Sequence, residues 1–260
     1  MRKSSNCLLF RRERNNMNIQ AYRIANTVFA IDSIYSNVHE LCREYKCSAP
    51  IEFIIKTNQS DIDYEREKSK QKDIKEGNLI RNFSDGYLET IAVYRKLCEK
   101  IIDNEILLFH GSAIAVDGTA YLFTAKSGTG KSTHTRLWRE HFGSRAVMIN
   151  DDKPLIKIGE DGVRIYGTPW DGKHRISTNT SAPLKAIILL NRGNENKITE
   201  INKNTAYPIL LQQTHKPSDK MSAVFKLIDI LCENVKFYRL ECNMDPASVM
   251  TAYNGMNTEE

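Results

Sequence analysis

The sequence predicts an α/β fold, in which a small N-terminal α/β region precedes a mixed sheet with flanking helices. Short apolar runs of strand length alternate with stretches whose apolar residues recur at helical spacing. Two of these runs, over 106–116 and 119–124, are separated by Asp117-Gly118, a pair typical of tight hairpin turns. The 41% hydrophobic content of the 260 residues suffices for a packed core.

The first 16 residues form a separate, basic segment. They hold five basic residues and one acidic residue, so most of the net charge of +5 lies there and the rest of the chain is close to neutral. We expect a disordered extension over 1–16; an alternative start at Met17 and a basic anchoring arm are the other interpretations. A near-neutral remainder disfavours nucleic-acid binding, which requires a basic face on the folded domain.

Residues 17–83 are predicted to form a small N-terminal α/β region with a charged linker. Its expected elements are three strands and a short helix, over 21–24, 28–31, 51–56 and 36–45. The stretch 61–76 is rich in charge and nearly devoid of apolar residues, which predicts a solvated loop or linker.

The main domain is expected to span 84–260. Ser84 is predicted to cap a helix whose apolar residues continue at helical spacing to Ile101. The elements expected after it are strands over 106–116 and 119–124, a helix from 133 to about 143, strands over 146–149, 155–158, 163–166 and 184–190, helices over 206–213 and 221–233, a strand over 236–241 and a helix from 245.

The octapeptide 125–132 (Ala-Lys-Ser-Gly-Thr-Gly-Lys-Ser) matches the P-loop pattern GxxxxGK[ST] except at Ala125, where the pattern has glycine. It lies between a predicted strand and a predicted helix, which is the context that the motif requires. Backbone N–H groups of such a loop surround phosphates, Lys131 supplies positive charge, and Ser132 offers a hydroxyl to Mg²⁺. The candidate nucleotide-binding residues are Ser127, Gly128, Thr129, Gly130, Lys131, Ser132 and Thr133.

Two aspartates, Asp151 and Asp152, directly follow the strand predicted over 146–149. The interval of about 20 residues after Lys131 accommodates one helix, one turn and one strand, which places the acids beside the P-loop. One carboxylate is expected to bind Mg²⁺ together with Ser132, and the other to accept the proton of an attacking hydroxyl. A solvated turn is the alternative interpretation.

Three segments together resemble the HPr kinase/phosphorylase superfamily, whose nucleotide-binding architecture phosphoenolpyruvate carboxykinases share. They are His110-Gly111-Ser112, the loop 127–132 and Asp151-Asp152. The resemblance extends over about 107–152 and is looser through 166–170 and 184–192. It implies the P-loop-containing mixed sheet of that superfamily, and a ring or dimer, since HPr kinase is hexameric.

The resemblance also implies roles for individual residues. Lys131 and Ser132 would bind nucleotide phosphates and Mg²⁺, and Asp151 and Asp152 would bind the metal and act as general base. His110 would lie near the transferring phosphate as an electrostatic or proton-transfer partner. A satisfied core histidine is the alternative for this residue.

The loop 168–174 departs from the family pattern, because it has no counterpart of the Glu-x-Arg-Gly type of signature associated with the reverse, phosphorolytic reaction. Neither phosphorylase activity nor HPr as the substrate is therefore expected, and carboxykinase chemistry is disfavoured. Trp170, Lys173 and His174 are candidates for contacting the acceptor or the nucleotide, with a surface loop around a core tryptophan as the alternative. Arg192 is a candidate for stabilising charge on the γ-phosphate.

These features predict a phosphotransferase, an ATP-dependent kinase that uses Mg²⁺ to move the γ-phosphoryl group to a hydroxyl of a protein, peptide or small metabolite. GTP and pyrophosphate stay open as donors. A nucleotide-binding regulator or NTPase without an organic acceptor is the alternative, and a nucleotide binder without turnover is a third. His134, in the helix after the P-loop, is expected to be structural.

Cysteine usage and hydropathy bear on location. The six cysteines contain no CxxC pair, nothing resembles a secretory signal, and no apolar run has the length of a membrane span. We therefore expect a cytoplasmic protein with reduced thiols and no membrane partner.

Overall fold

The computed structural model of the protein describes residues 19–258. The predicted basic extension over 1–16 and the alternative start at Met17 lie outside these residues. The strands are β1 (Ile19–Ile24), β2 (Thr27–Asp32), β3 (Phe53–Lys56), β4 (Ile106–Leu108), β5 (Ser112–Val116), β6 (Thr119–Thr124), β7 (Ala146–Asn150), β8 (Leu155–Gly159), β9 (Gly162–Tyr166), β10 (Ser181–Arg192), β11 (Lys197–Ile201) and β12 (Lys236–Cys242). The helices are α1 (Asn37–Leu41), α2 (Gln59–Lys75), α3 (Asp85–Ile101), α4 (Lys131–Phe142), α5 (Lys203–Gln213), α6 (Met221–Asn234) and α7 (Ala247–Asn257). In this part of the chain, none of the helices has the length and apolar character needed to cross a membrane.

The larger sheet is mixed and is held together by the long strand β10. The later part of β10 pairs in parallel with β6 on one side and β12 on the other, and its first residues pair antiparallel with β9. The strand order runs β4-β8-β9-β10-β6-β5-β7, and β11 pairs with β12. This architecture agrees with the mixed α/β sheet expected from the sequence.

The carboxyl ends of four strands meet at one edge of this sheet. Since β5 is antiparallel to both β6 and β7, those two strands run in the same direction, which β10 and β12 share. The segments that leave this edge are the loop 125–130 after β6, Asp151-Asp152 after β7, and the residues after Arg192. The topology thus brings together segments that are separated along the chain.

Different helices cover the two faces of the sheet. Tyr121 and Phe123 of β6 point to the side of α4 and α7, where their rings lie 5.1 and 5.2 Å from that of Trp138. Leu122, between them, belongs to the cluster that includes α5 and α6. Successive strand side chains alternate between faces, and full burial of each large apolar side chain is worth roughly 2–3 kcal/mol.

The N-terminal strands form a second, three-stranded sheet, in the order β1-β2-β3. Phe29 and Ile31 of β2 share one apolar cluster with Leu97 of α3 and with Leu155 and Trp170 of the larger sheet and its loops. Ser84 caps the helix α3 as predicted, and its side chain accepts a hydrogen bond from the backbone N–H of Tyr87. α3 therefore connects the two sheets through one buried cluster.

The prediction of a solvated loop or linker over 61–76 is wrong, because nearly all of these residues lie in the helix α2. Asn58 begins this helix with a capping box, in which its side chain and that of Asp61 exchange hydrogen bonds with backbone N–H groups. Buried acids with cationic partners then hold the helix in place, since Glu65 pairs with Arg95 and Asp73 with Arg81. Charge-paired helices lack the apolar spacing by which helices are identified from sequence.

The prediction of a single strand over 106–116 is also wrong, because this segment forms two strands, β4 and β5. Between them, the N–H groups of Phe109, His110 and Gly111 donate to Pro154, Gln213 and Asp152 instead of to a neighbouring strand. The strand β11 was not predicted, since its residues are mostly exposed and polar. The hairpin at Asp117-Gly118 is confirmed, with φ of 49° and 80° at the two positions.

Candidate functional site

The loop 125–130 connects β6 to α4 and depends on two glycines. Gly128 and Gly130 have φ of 78° and 123°, in the region where a β-carbon is strained. Ala125, the departure from the P-loop pattern, is absent from the described residues with positive φ and packs in the core at 1% exposure. Alanine at this position therefore imposes no backbone strain.

Lys131, the first residue of α4, extends back over this loop. Its Nζ donates a hydrogen bond to the carbonyl oxygen of Ala125 at 3.1 Å. Burial lowers the pKa of Lys131, while the negative charges of Asp152 and Asp151 oppose the shift. The ammonium thus lies in the field of both aspartates, and Ser132 and Thr133 are half-buried beside it in the first turn of α4.

Asp151 is a buried carboxylate at the end of β7. It is 5% exposed, and its Oδ1 accepts a hydrogen bond from Ser112 Oγ at 2.9 Å. A β-carbon on Gly172 would lie 3.1 Å from the other carboxylate oxygen, so a larger residue there would require the Asp151 side chain to shift by a few tenths of an ångström. Within residues 19–258 no ion pair is found for Asp151, although a buried charge without a cation is costly. This position suits a metal cation.

A complete protein-only metal site is absent from the described part of the chain. No group of three or more His, Cys, Asp or Glu side chains is arranged to hold an ion there. Mg²⁺ in nucleotide sites is usually held by one or two protein groups together with phosphates and waters. Asp151 and Ser132 are the residues that could supply those protein groups.

Asp152 differs from its neighbour in being accessible, with 31% of its side chain exposed. His110 Nε2 lies 3.3 Å from its Oδ1, and His110 Nδ1 lies 2.9 Å from Gln213 Oε1. Burial alone would raise the pKa of Asp152, but the hydrogen bond from His110 and the charges of Lys153 and Lys131 outweigh it and lower the pKa. The carboxylate therefore stays ionised at neutral pH while remaining within reach of a ligand.

Asn150 shapes the turn that carries both aspartates, and sequence reasoning missed it. Its buried Oδ1 accepts hydrogen bonds from the N–H groups of Asp152 and Lys153, at 2.9 and 2.6 Å. Its Nδ2 donates to the carbonyl and hydroxyl oxygens of Thr168, both at 3.1 Å. An asparagine at a strand end is a known signal for such a side-chain-stabilised turn.

The loop 168–175 lies against this turn, and its residues divide into two groups. Trp170 is buried, donates from Nε1 to the carbonyl oxygen of Thr90 at 2.9 Å, and packs 4.6 Å from the ring of Tyr94. Lys173 and His174 are exposed. Trp170 therefore packs in the core, while the two cationic candidates face solvent.

Two further candidates lie close to the loop 125–130. Arg192 donates from Nη2 to the carbonyl oxygen of Gly128 at 2.7 Å, so its guanidinium lies against the loop. His134 is 3% exposed and accepts a hydrogen bond from Trp138 Nε1 at 3.0 Å. Burial lowers its pKa to about 4, as expected for a structural histidine.

Several cavities adjoin these residues. A cavity of about 450 Å³ lies between the start of α4 and the ends of β10 and β12, and its lining includes Gly128, Thr133 and Met244. A cleft of about 640 Å³ has Asp152 in its wall and is completed by α1, α3 and the loop 168–175. The N-terminal region contributes Asn37, Glu40 and Leu41 of α1 to this cleft.

Comparison with known proteins finds similarity in structure but none in sequence. No family model and no curated protein sequence matches the chain. Among solved structures, the chain is similar to the Hpr(Ser) kinase/phosphatase from Coxiella burnetii, with a TM-score of 0.34 and 12% identity, over 57% of this chain and 95% of that chain.

Proposed function

We propose that the protein is a P-loop kinase that transfers the γ-phosphoryl group of ATP to a hydroxyl acceptor in the presence of Mg²⁺, as members of the HPr kinase/phosphorylase superfamily do. One observation carries the proposal. The loop 125–130 with Lys131 and the turn with Asp151 and Asp152 leave the same edge of the sheet, at the ends of β6 and β7, which run in the same direction. A cation for the phosphates and two carboxylates are the groups that phosphoryl transfer requires side by side.

In this proposal the nucleotide lies along the loop 125–130. The N–H groups of the first turn of α4 and the N-terminal end of its dipole favour phosphate oxygens. Lys131 leaves the Ala125 carbonyl for the β- and γ-phosphates, and Arg192 is placed to neutralise charge there. The cavity of about 450 Å³ beside Thr133 is of a size that suits a nucleoside.

Asp151 and Ser132 would hold the metal ion, since Asp151 is a buried carboxylate at the end of β7 with no ion pair among residues 19–258. When bound, Mg²⁺ would neutralise charge on the phosphates. Asp152, ionised and accessible, would accept the proton of the acceptor hydroxyl. His110, which contacts Asp152, would orient that carboxylate through its second contact with Gln213.

The test is a transfer assay with γ-labelled ATP and Mg²⁺, in which products are separated into protein, peptide and small-molecule fractions. Lys131→Ala should reduce transfer by about 10³-fold or more, because a charge that stabilises the transition state is lost. Lys197→Ala, an exposed lysine of β11, is the matched control and should transfer at the rate of the unmodified protein.

Label in an organic fraction that depends on Lys131 would establish the kinase. Lysine-dependent label found only as free phosphate would favour an NTPase or a nucleotide-dependent regulator, in which water reaches the carboxylate of Asp152. Full transfer by Lys131→Ala would contradict the assignment of the loop.

A further inference from the structure

We propose that the cleft beside Asp152 is the acceptor site and that it selects a hydroxyl compound carrying an anionic group, which Lys173 and Arg175 bind. The inference rests on the proposed function, because it concerns the second substrate of the same site. The shared chemistry, a hydroxyl near a carboxylate, could belong to a small hydroxy acid or to a serine flanked by acidic residues in a peptide.

The cleft lies next to Asp152, the proposed general base. Its wall contains Asp152 and Gly172, and Gly172 is the residue at which the loop approaches Asp151. A molecule bound there lies next to the carboxylate proposed as the general base. The volume of about 640 Å³ lies within the range of small-molecule sites.

Three cationic side chains line the cleft, and two of them belong to the loop 168–175. Lys173 is exposed and has no ion pair among residues 19–258. Arg175 is 65% exposed at its side chain, and its one ion pair, with Asp171, has a distance of 3.9 Å. Lys153 has an ion pair of the same length, with Asp152, but it is less exposed, at 37%, and its Nζ also lies 5.3 Å from the ring of Tyr94. The two cations of the loop are therefore the more accessible to a ligand.

Each of the three acids that line the cleft has a polar partner. Asp152 contacts His110, and Asp171 accepts a hydrogen bond from the N–H of Ser177 at 3.2 Å. Glu40, on the wall opposite the loop, accepts a hydrogen bond from Ser36 Oγ at 3.0 Å. This arrangement leaves the loop side of the cleft positive and places its cations one and three residues after Gly172.

The loop 168–175 has a fixed shape. Arg175 adopts φ of 50°, which is uncommon for a residue with a side chain and persists only where the surroundings hold it. Its N–H donates to the carbonyl oxygen of Gly172 at 3.2 Å, which closes the turn between the two. A held, unusual conformation next to a candidate site is typical of a ligand-binding turn.

The opposite wall is also fixed. The buried carboxylate of Glu89 accepts hydrogen bonds from the N–H groups of Ile34 and Tyr35 at 2.7 and 2.8 Å, which holds the segment leading into α1. Gly86 has no β-carbon, and the side chain of Asn37 occupies the space that one would take. Both walls are thus in place before a ligand arrives, which favours binding.

The test measures equilibrium binding without nucleotide, so that it does not depend on catalysis. Two matched pairs of probes are used: glycerate against glycerol, and a serine hexapeptide with aspartates beside the serine against the same peptide with asparagines. In at least one pair, the charged member should bind about tenfold or more tightly than the neutral one, as expected for a charge-assisted contact. The pair that discriminates identifies the source of the anion.

The double variant Lys173→Gln and Arg175→Gln should lose this preference, whereas Lys197→Gln should retain it. Equal binding of both members in both pairs, or a preference that survives in the double variant, would overturn the proposal. Binding of a fluorescent ADP analogue and transfer by the Lys131→Ala variant, measured in parallel, report on the kinase assignment alone. A failure of the acceptor inference is therefore distinguishable from a failure of the proposed function.

Discussion

The two sides of the candidate site are built in different ways. The side formed by the loop 125–130 and the start of α4 consists of one contiguous strand–loop–helix segment, completed by Arg192 and the end of β12. The side formed by the cleft combines α1, the start of α3, Asp152 and the loop 168–175, which are widely separated along the chain. The first arrangement depends on local geometry, and the second on tertiary packing.

This difference also applies to what stabilises each side. Beneath the loop 125–130 and the start of α4, the proposed nucleotide side, lies an aromatic cluster around Trp138, with Phe123 and Tyr121 within about 5 Å between ring centres. The cleft instead depends on buried polar groups, chiefly Asn150 and Glu89, each of which holds backbone N–H groups of an adjoining segment. A substitution on one side should therefore leave the other side largely intact.

The largest effect is expected at Asp152, where the two sides meet. Asp152→Asn removes the proton acceptor while keeping the size of the side chain, and we expect kcat for transfer to fall by about 10³-fold, within the range for loss of a general base. Binding of a fluorescent ADP analogue should change little. A variant with nearly full kcat would contradict the assignment of Asp152 as the base, and retained Kd for ADP shows that the nucleotide side is undamaged.

Substitution of Glu89 tests whether the cleft can be perturbed without affecting the proposed nucleotide side. Glu89→Ala removes the acceptor of two backbone N–H groups in a fully buried place, and we expect the free energy of unfolding to fall by about 3 kcal/mol. Urea unfolding measures this loss. KM for the acceptor should rise while Kd for ADP stays constant, and Glu89→Gln, which keeps one acceptor oxygen, should show smaller changes. Equal weakening of both ligands would show that the two sides are one cooperative unit.

The same contrast explains which features could be predicted from the sequence. The spacing of Gly128, Gly130 and Lys131 between an apolar strand and a helix is local, so the loop and the position of the two aspartates followed from it. The pairing of His110 with Asp152 depends on the break between β4 and β5, which apolar composition alone does not reveal.

The cleft could not be predicted for a related reason. Asn37 and Tyr87 reach it because α3 packs against the N-terminal sheet and the loop of Trp170 together. Buried acids such as Glu65 and Asp73 made α2 resemble a solvated loop, although each has a cationic partner. Pairing of distant charges cannot be seen in a single sequence without its fold.

The smallest effect is expected from His134, below the nucleotide side. Burial holds its pKa at about 4 in the folded protein, against 6.5 for an ordinary histidine, so between these values the unfolded chain binds a proton that the folded protein does not. Its contribution to stability is therefore fully present above pH 6.5 and is lost as the pH falls toward 4.

His134→Gln keeps an acceptor for Trp138 Nε1 and does not titrate. Between pH 7 and pH 5 the unmodified protein should lose about 2 kcal/mol more unfolding free energy than the variant. Identical pH dependence of the two proteins in urea titrations would contradict the assignment. Because His134 also lines the cavity of about 450 Å³, Kd for ADP is measured at pH 7, and an unaltered Kd would show that the histidine acts on stability and not through the ligand.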